Sequence, residues 1–391
     1  MNRGPVATAL HGTRVEDPGT TRARLQPTLA DHGITRVANV TGLDRLGVPV
    51  YMAIRPNSRS LSVSQGKGAD HDAAWVSAVM EAIELAHAEV PAIPLHLGSY
   101  RELCRRGRVV DVERLPARDG SCVDPDRDIT WASGIDLVDG EPVFVPYALV
   151  HVNAVAPFPP GDESFAVTSN GLASGTVREE ALVHALCEAI ERDGVTRWQH
   201  ARPETRAATW IDVSTITDDV AARLVAQCRD RGFDVLAADA TPSVGVPVVV
   251  CLLLDHTEMS DTLRAASMGF GCHLRRDVAF VRALTEAAQS RLTLIAGSRD
   301  DLDRRDYEVR RRYRDGIAVY RAQLDATQPV DFQCLPDLGC ASLRDQVAVL
   351  LDALGRAGVR EVPCVDLTCS ETGPAVVRVL APGLRGPDHA H

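Results

Sequence analysis

Ala78-Val79-Met80-Glu81-Ala82-Ile83-Glu84, Ala185-Leu186-Cys187-Glu188-Ala189-Ile190-Glu191 and Ala283-Leu284-Thr285-Glu286-Ala287-Ala288-Gln289 are three writings of one heptapeptide. Each sets two oxygen-bearing side chains at i and i+3 among small and apolar neighbours, and in an α-helix those positions share a face one turn apart. Glutamate is kept out of interiors unless it is paired or bound to a metal, so acids in an Ala/Leu/Ile-rich helix call for positive partners. The carboxylates of Glu81, Glu84, Glu188, Glu191 and Glu286, with the amide of Gln289, form a donor set made wholly of oxygen. Such a set suits a hard divalent metal such as Mg2+, which in proteins commonly binds together with phosphate.

Working outward, each copy follows a segment rich in glycine and small residues: Ser64-Gln65-Gly66-Lys67-Gly68, then Ser169-Asn170-Gly171-Leu172-Ala173-Ser174-Gly175, then Met268-Gly269-Phe270-Gly271. A glycine-containing loop that feeds a helix offers backbone N–H groups to phosphate. Lys67 is the only lysine of the chain. The first loop is not a Walker A motif, because the GxxxxGK[ST] spacing is absent. Arg192 borders the second acid pair and Arg291 follows Gln289 by two residues, and arginine binds phosphate oxygens as a two-pronged donor. Three such loop-helix units point to a metal-nucleotide site. The competing reading is three surface helices with routine glutamate content, which a single copy would favour and a threefold repeat does not.

A chain of 391 residues can bury a large core. Its net charge of −11 argues against broad nucleic-acid binding. The ten cysteines contain no CxxC pair, so a zinc framework is not expected and most should be small apolar core residues. The N-terminus has no apolar signal core and no stretch approaches the ~20 apolar residues of a membrane span; a cytoplasmic protein is expected. Residues 1–28 read as a flexible arm, 29–384 as one mixed α/β domain, and 385–391 as a frayed tail. Strands are expected near 33–40 and 49–55, forming a hairpin, and helices from Asp72, Arg178 and Asp277 carry the three acid pairs. A long exposed helix is expected over Asp303–Leu324 and a further helix over Ser342–Ala357. Closing strands are expected over Val362–Leu367 and Ala375–Leu380.

The chain also resembles the YcaO-domain family. The matching strings are Gly33-Ile34-Thr35-Arg36 with Leu43-Asp44-Arg45-Leu46-Gly47-Val48-Pro49, then Gly66-Lys67-Gly68, Ser77-x-x-x-Glu81-x-x-Glu84, Ser169 to Gly175, Glu188-x-x-Glu191-Arg192-Asp193, and Glu286-x-x-Gln289-Ser290-Arg291 with Gly297-Ser298-Arg299-Asp300-Asp301. The resemblance implies a YcaO-like fold whose repeated loop-helix units surround a central nucleotide site, with ATP and Mg2+ as cofactors. It adds Ser77 and Asn170 to the nucleotide-binding set of Lys67, Arg192, Arg291 and the acid pairs. The implied activity is ATP-dependent activation of a backbone amide in a ribosomally synthesised precursor peptide, while no particular residue is singled out as catalytic.

Two features depart from the family pattern. Leu85 follows Glu84 where the family motif usually has arginine, which puts one phosphate contact in doubt. The C-terminus, Val376 to Leu384, lacks the Pro-x-Pro-x-Pro ending of azoline-forming members and is similar to members that work beside a TfuA-like protein in making thioamides. A thioamide is therefore the expected product, with azoline (cyclodehydratase) or macroamidine formation as alternatives and a non-catalytic ATP-binding regulator as a second alternative. A metal-dependent hydrolase is disfavoured because the histidines are dispersed. The expected partners are the precursor peptide, a separate leader-recognition or TfuA-like protein and a second copy of the chain, with no nucleic acid and no membrane.

Overall fold

The computed structural model describes residues 6–8, 12–118, 120–121, 123–255, 266–299, 301, 328–340, 342–370 and 373–386. The expected helix at Asp303–Leu324 lies outside them. The chain divides into two compact units, each assembled from three segments. The first unit comprises Met1–Pro56, Leu61–Ala82 and Gly194–Ala341, and the second comprises Asn57–Ser60, Ile83–Asp193 and Ser342–His391. The sequence reading had a single domain over 29–384; interleaved segments leave no composition break that would announce a boundary.

The first unit opens with strands β1 (Val6–Thr8) and β2 (Gly12–Arg14), paired antiparallel, and helix α1 (Pro18–Leu25). Part of the stretch read as a flexible arm is thus helical. Asp17 caps α1 by accepting from the Thr20 N–H, Leu25 is buried, and Arg22 pairs with Asp72 at 2.8 Å while lying 5.2 Å over the Trp75 ring. These are tertiary hooks, invisible to a search for periodicity.

Strands β3 (Arg36–Asn39), β4 (Val50–Ile54) and β5 (Val63–Lys67) form an antiparallel sheet in that order, which includes the expected hairpin. Helix α2 (His71–Glu89) follows and crosses from one unit's segment to the other's after Ala82. In the second unit, β6 (Leu95–Ser99), α3 (Tyr100–Arg106), β7 (Asp128–Asp136), β8 (Pro142–Pro146) and β9 (Leu172–Gly175) lead to helix α4 (Arg178–His200), which re-enters the first unit at Gly194.

The first unit then continues through α5 (Pro203–Ala207), β10 (Trp210–Asp212), α6 (Asp219–Asp230), β11 (Phe233–Asp239), β12 (Val248–Asp255), β13 (Ala266–Cys272), α7 (Arg276–Ala296) and β14 (Val330–Asp331). Its five-stranded sheet has the order β13-β12-β11-β10-β14. The apolar run of β12 is buried from end to end, as a strand flanked on both sides should be. Its side chains pack with Leu224 and Cys228 of α6 and Phe280 and Leu284 of α7 in one core. Helix α8 (Leu343–Arg356) and strands β15 (Pro363–Asp366) and β16 (Ala375–Val379) complete the second unit, whose sheet runs β6-β7-β15-β16-β9 with β8 on β7. Burial pushes the Cys228 and Cys364 thiols up to about 12, consistent with inert core cysteines.

One packing device recurs. The strands that precede the three heptapeptide helices, β5, β9 and β13, each lie at the edge of their sheet. Each also brings glycine against the backbone of the helix that follows. A Cβ on Gly66 would sit 1.9 Å from the Ala78 nitrogen, one on Gly175 2.5 Å from the Ala181 nitrogen, and one on Gly269 2.1 Å from the Ala287 nitrogen. Gly271 meets the Ala279 carbonyl oxygen at 2.1 Å in the same sense. At each of these contacts the strand lies against the backbone of the helix that follows, with no room for a side chain larger than hydrogen on the strand side.

Gly269→Ala should lower the free energy of unfolding by about 1–3 kcal/mol or more through overpacking. Gly355→Ala, inside α8 with nothing within 4 Å of the added methyl, should raise it by about 1 kcal/mol. Chemical denaturation of the two variants beside the wild type checks both signs.

Candidate nucleotide and metal site

The edge strands determine where the acids go. An edge strand carries a row of backbone N–H groups without a strand neighbour, and in three instances that row is aimed at a heptapeptide glutamate. The Phe270 N–H of β13 donates to Glu286 Oε1 at 3.3 Å. Gly171, just before β9, donates to Glu188 Oε2 at 3.2 Å. The Ser174 N–H of β9 donates to Glu84 Oε1 at 2.9 Å, and its hydroxyl joins at 2.6 Å.

The other oxygen of two of these acids meets a cation. Within the first unit, Lys67 Nζ at the end of β5 donates to Glu286 Oε2. Within the second, Arg192 Nη2 reaches Glu188 Oε1 at 3.4 Å and Arg192 Nη1 reaches Glu191 Oε1 at 3.5 Å. Glu286 and Glu188 are thus clamped alike, one oxygen on a strand N–H and the other on a side-chain cation. Lys67 follows the glycine of the first repeat and Glu286 belongs to the third, so the first unit joins these two repeats. The second unit likewise joins Glu84 of the first repeat to Ser174 of the second.

Exposure suits binding groups. Glu81, Glu84, Glu188, Glu286, Gln289, Ser77 and Asn170 are all half-buried, and Glu191 is buried. Lys67 and Arg192 keep 19% and 27% of their side-chain surface exposed, so both cations can be reached. Among the described residues no three His, Cys, Asp or Glu side chains gather into a metal-binding cluster; the acids come in pairs. Paired carboxylates fit Mg2+ better than an all-protein cage does, because Mg2+ completes its octahedron with water and substrate phosphates. A carboxylate oxygen has more than one lone pair, so accepting a hydrogen bond and ligating a metal are compatible. The donor set therefore fits the metal and the triphosphate that the sequence implied.

Arg291 has a different setting from the one expected for it. It is 4% exposed; its Nε donates to Asp44 at 2.6 Å and its Nη2 to Asp255 at 3.0 Å, and it lies 4.9 Å over the Phe233 ring. Arg45 pairs with Asp255 from the other side and stacks 4.7 Å over the same ring. This network lies inside the first unit and accounts for Asp44 and Arg45 of the Leu43 to Pro49 string. Leu85 is 6% exposed and packs as a core residue. Ser174 and the Phe270 N–H were not picked out as contacts from the sequence, although both lie in the quoted glycine segments. A hydroxyl among small residues before an acid pair was the available signal for Ser174.

A family model described as YcaO cyclodehydratase, ATP- and Mg2+-binding, matches residues 65–385. The chain belongs to the YcaO family. ATP and Mg2+ are thus the cofactors of the family, as the motifs implied, and the YcaO match begins inside β5, two residues before Lys67. A relative from Rhizobium leguminosarum bv. trifolii, known as an uncharacterized protein in the tfuA 3′ region, is 35% identical over 98% of this chain and 91% of its own. The YcaO protein of Methanopyrus kandleri, solved bound with AMPPCP and Mg2+, superposes with a TM-score of 0.74 at 24% identity, covering 97% of this chain and 94% of that one. A heterocyclase solved in complex with substrate and cofactor gives a TM-score of 0.79 at 22% identity over 98% of this chain. The chain spans 55% of that heterocyclase's length. At these identities the likeness to solved structures concerns the fold, and it agrees with the mixed α/β YcaO architecture read from the sequence.

Asp44→Ala should cost about 3–5 kcal/mol of stability, because it strips one carboxylate from a buried guanidinium. Arg299→Ala, which breaks the exposed pair with Asp301, should cost less than about 1 kcal/mol. Urea titrations of both variants measure the contrast.

Proposed function

We propose that this YcaO protein uses ATP to phosphorylate the oxygen of a backbone amide in a ribosomally synthesised precursor peptide, and that the product is a thioamide. The observation that carries the choice of product is the 35% identical relative whose name places it 3′ of tfuA.

An amide oxygen is a poor leaving group until it carries a phosphoryl group. Hydrosulfide adds to the carbonyl carbon, forming the C–S bond and placing the π pair on oxygen. The oxyanion attacks the γ-phosphorus and ADP departs. The C–O bond then breaks, phosphate leaves with the former amide oxygen, and loss of the S–H proton gives C=S. Bound Mg2+ supplies charge neutralisation for the triphosphate and for the charge that develops during transfer.

In this reading Glu81 and Glu286 of the first unit, and Glu84, Glu188 and Glu191 of the second, supply metal ligands, and Gln289 and Ser77 belong to the nucleotide-binding set. Lys67 and Arg192 turn from Glu286 and Glu188 to phosphate oxygens, and Asn170 faces the nucleotide from the Thr168–Gly171 turn. Arg291 leaves the nucleotide set for a structural part, since its guanidinium is engaged by Asp44 and Asp255. A TfuA-like protein serves as partner, and the working form is a homodimer. Among the described residues no helix is long and apolar enough to cross a membrane. Azoline formation by the same phosphoryl chemistry is the second reading, favoured by the cyclodehydratase description of the family.

The test combines the protein, a TfuA-like partner, a candidate precursor peptide, ATP, Mg2+ and sulfide, followed by peptide mass. A gain of ~16 Da is expected; a loss of ~18 Da selects azoline formation instead, and modification without ATP overturns the phosphoryl mechanism. ATP binding with no change in any peptide would favour a regulator. Glu191→Ala should abolish ATP-dependent turnover while circular dichroism and melting remain those of a folded protein. Full activity in that variant would show that the acid pairs are not the ligands.

A further inference from the structure

β16 places a charged residue in the middle of an apolar strand. Arg378 is 1% exposed, and its neighbours Val376, Val377 and Val379 are buried with it. Its Nε donates to the Leu149 carbonyl at 2.7 Å and its Nη2 to the Thr168 carbonyl at 2.6 Å. Its Nη1 finds no hydrogen-bond partner among the described residues. A buried guanidinium with unsatisfied N–H groups is costly, and folded proteins keep few such groups. What the second unit gains in return lies in its surroundings.

Arg378 is in register with Leu172 of β9, and the next residue, Val379, donates its N–H to the Gly171 carbonyl at 2.8 Å. A Cβ on Gly171 would sit 2.2 Å from the Val379 oxygen, and Gly171 has φ +76°. β16 therefore grips the Thr168–Gly171 turn at both ends, through Arg378 on Thr168 and through Val379 on Gly171. That turn carries Asn170, whose N–H bonds Thr168 Oγ1 at 3.3 Å, and Gly171, whose N–H bonds Glu188 at 3.2 Å. Burial pulls the Arg378 guanidinium down to about 10, and the Glu188 charge pulls the other way.

We propose that Arg378 is a positioning residue of the nucleotide and metal site: its fork sets the Thr168–Gly171 turn, and through the Gly171 N–H that turn fixes Glu188. The proposal rests on the reading of Glu188 and Asn170 as ligands of the metal-bound nucleotide. It divides the cations of the second unit by task. Arg192 keeps 27% of its side-chain surface exposed, whereas Arg378 is enclosed.

The experiment is calorimetric titration of AMPPCP at a series of MgCl2 concentrations, with melting recorded for every variant. Arg378→Gln should raise the Mg2+ concentration needed for half-maximal binding by about 10- to 100-fold, the usual cost of losing a group that orients metal ligands. Arg378→Lys keeps the charge and one carbonyl contact, so it should recover part of that loss. If Arg378→Gln does not fold, Arg378→Lys carries the test: a raised Mg2+ requirement supports the proposal, and a lower melting temperature with an unchanged requirement overturns it. A wild-type Mg2+ requirement in Arg378→Gln also overturns it. Glu188→Ala keeps the two failures apart. Wild-type binding by Glu188→Ala sinks the site reading and this inference with it, whereas weakened binding by Glu188→Ala with wild-type binding by the Arg378 variants sinks the inference alone.

Discussion

The contact on which the site depends is backbone against backbone, between a glycine-bearing edge strand and the alanine face of the helix that follows it. Gly66, Gly175 and Gly269 leave no room for a methyl group at that contact. N–H groups of the glycine segments reach the acid of the helix that follows in two repeats, Gly171 to Glu188 and Phe270 to Glu286, while Ser174 reaches Glu84 of the first-repeat helix. An unpaired edge strand is a hazard in most folds, because its open N–H and C=O groups recruit other strands. Here Gly171, Ser174 and Phe270 direct that hydrogen-bonding capacity at Glu188, Glu84 and Glu286. Three of the acids, Glu84, Glu188 and Glu286, thus take part of their placement from main-chain N–H groups, which strand register sets.

This origin explains why much of the site was legible in the sequence. The alanines, the glycines before them and the acids three residues after are parts of one steric arrangement, and a steric arrangement repeated three times leaves a repeated string. The helices that carry the strings also fell within a residue or two of their expected starts, because helix periodicity and small-residue turns are local signals. Lys67 was conspicuous as a lone lysine, and its contact with Glu286 needed only the third repeat to be close to the first.

What the sequence did not disclose depends on tertiary placement. Asp44 lies 247 residues from its partner Arg291, and nothing local distinguishes a guanidinium that will be enclosed by two carboxylates from one that will face phosphate. The α1 helix is held by Asp17, Arg22 and Leu25 acting on different neighbours, so it shows no periodic face. The interleaving of the two units is likewise a property of contacts. Arg378 left a trace, since a charge inside Val376-Val377-Arg378-Val379 contradicts the strand around it, and a local contradiction of this kind is where function or strain is expected.

Charge gives these residues a common logic. In the first unit Glu81 and Glu286 stand against Lys67, because Arg291 is taken up by Asp44 and Asp255. In the second, Glu84, Glu188 and Glu191 stand against Arg192 and the buried Arg378. Counted over these residues alone, each unit holds one more acid than cation. The amide of Gln289 is what keeps the first at that value, since a glutamate there would double it, and Arg378 does the same for the second. A modest negative balance attracts a divalent cation without repelling the triphosphate that must arrive with it. On that argument the neutral residue in the third repeat and the hidden arginine in the closing strand address one electrostatic problem by two routes, the first by omitting an acid and the second by adding a buried cation to the unit that keeps three acids.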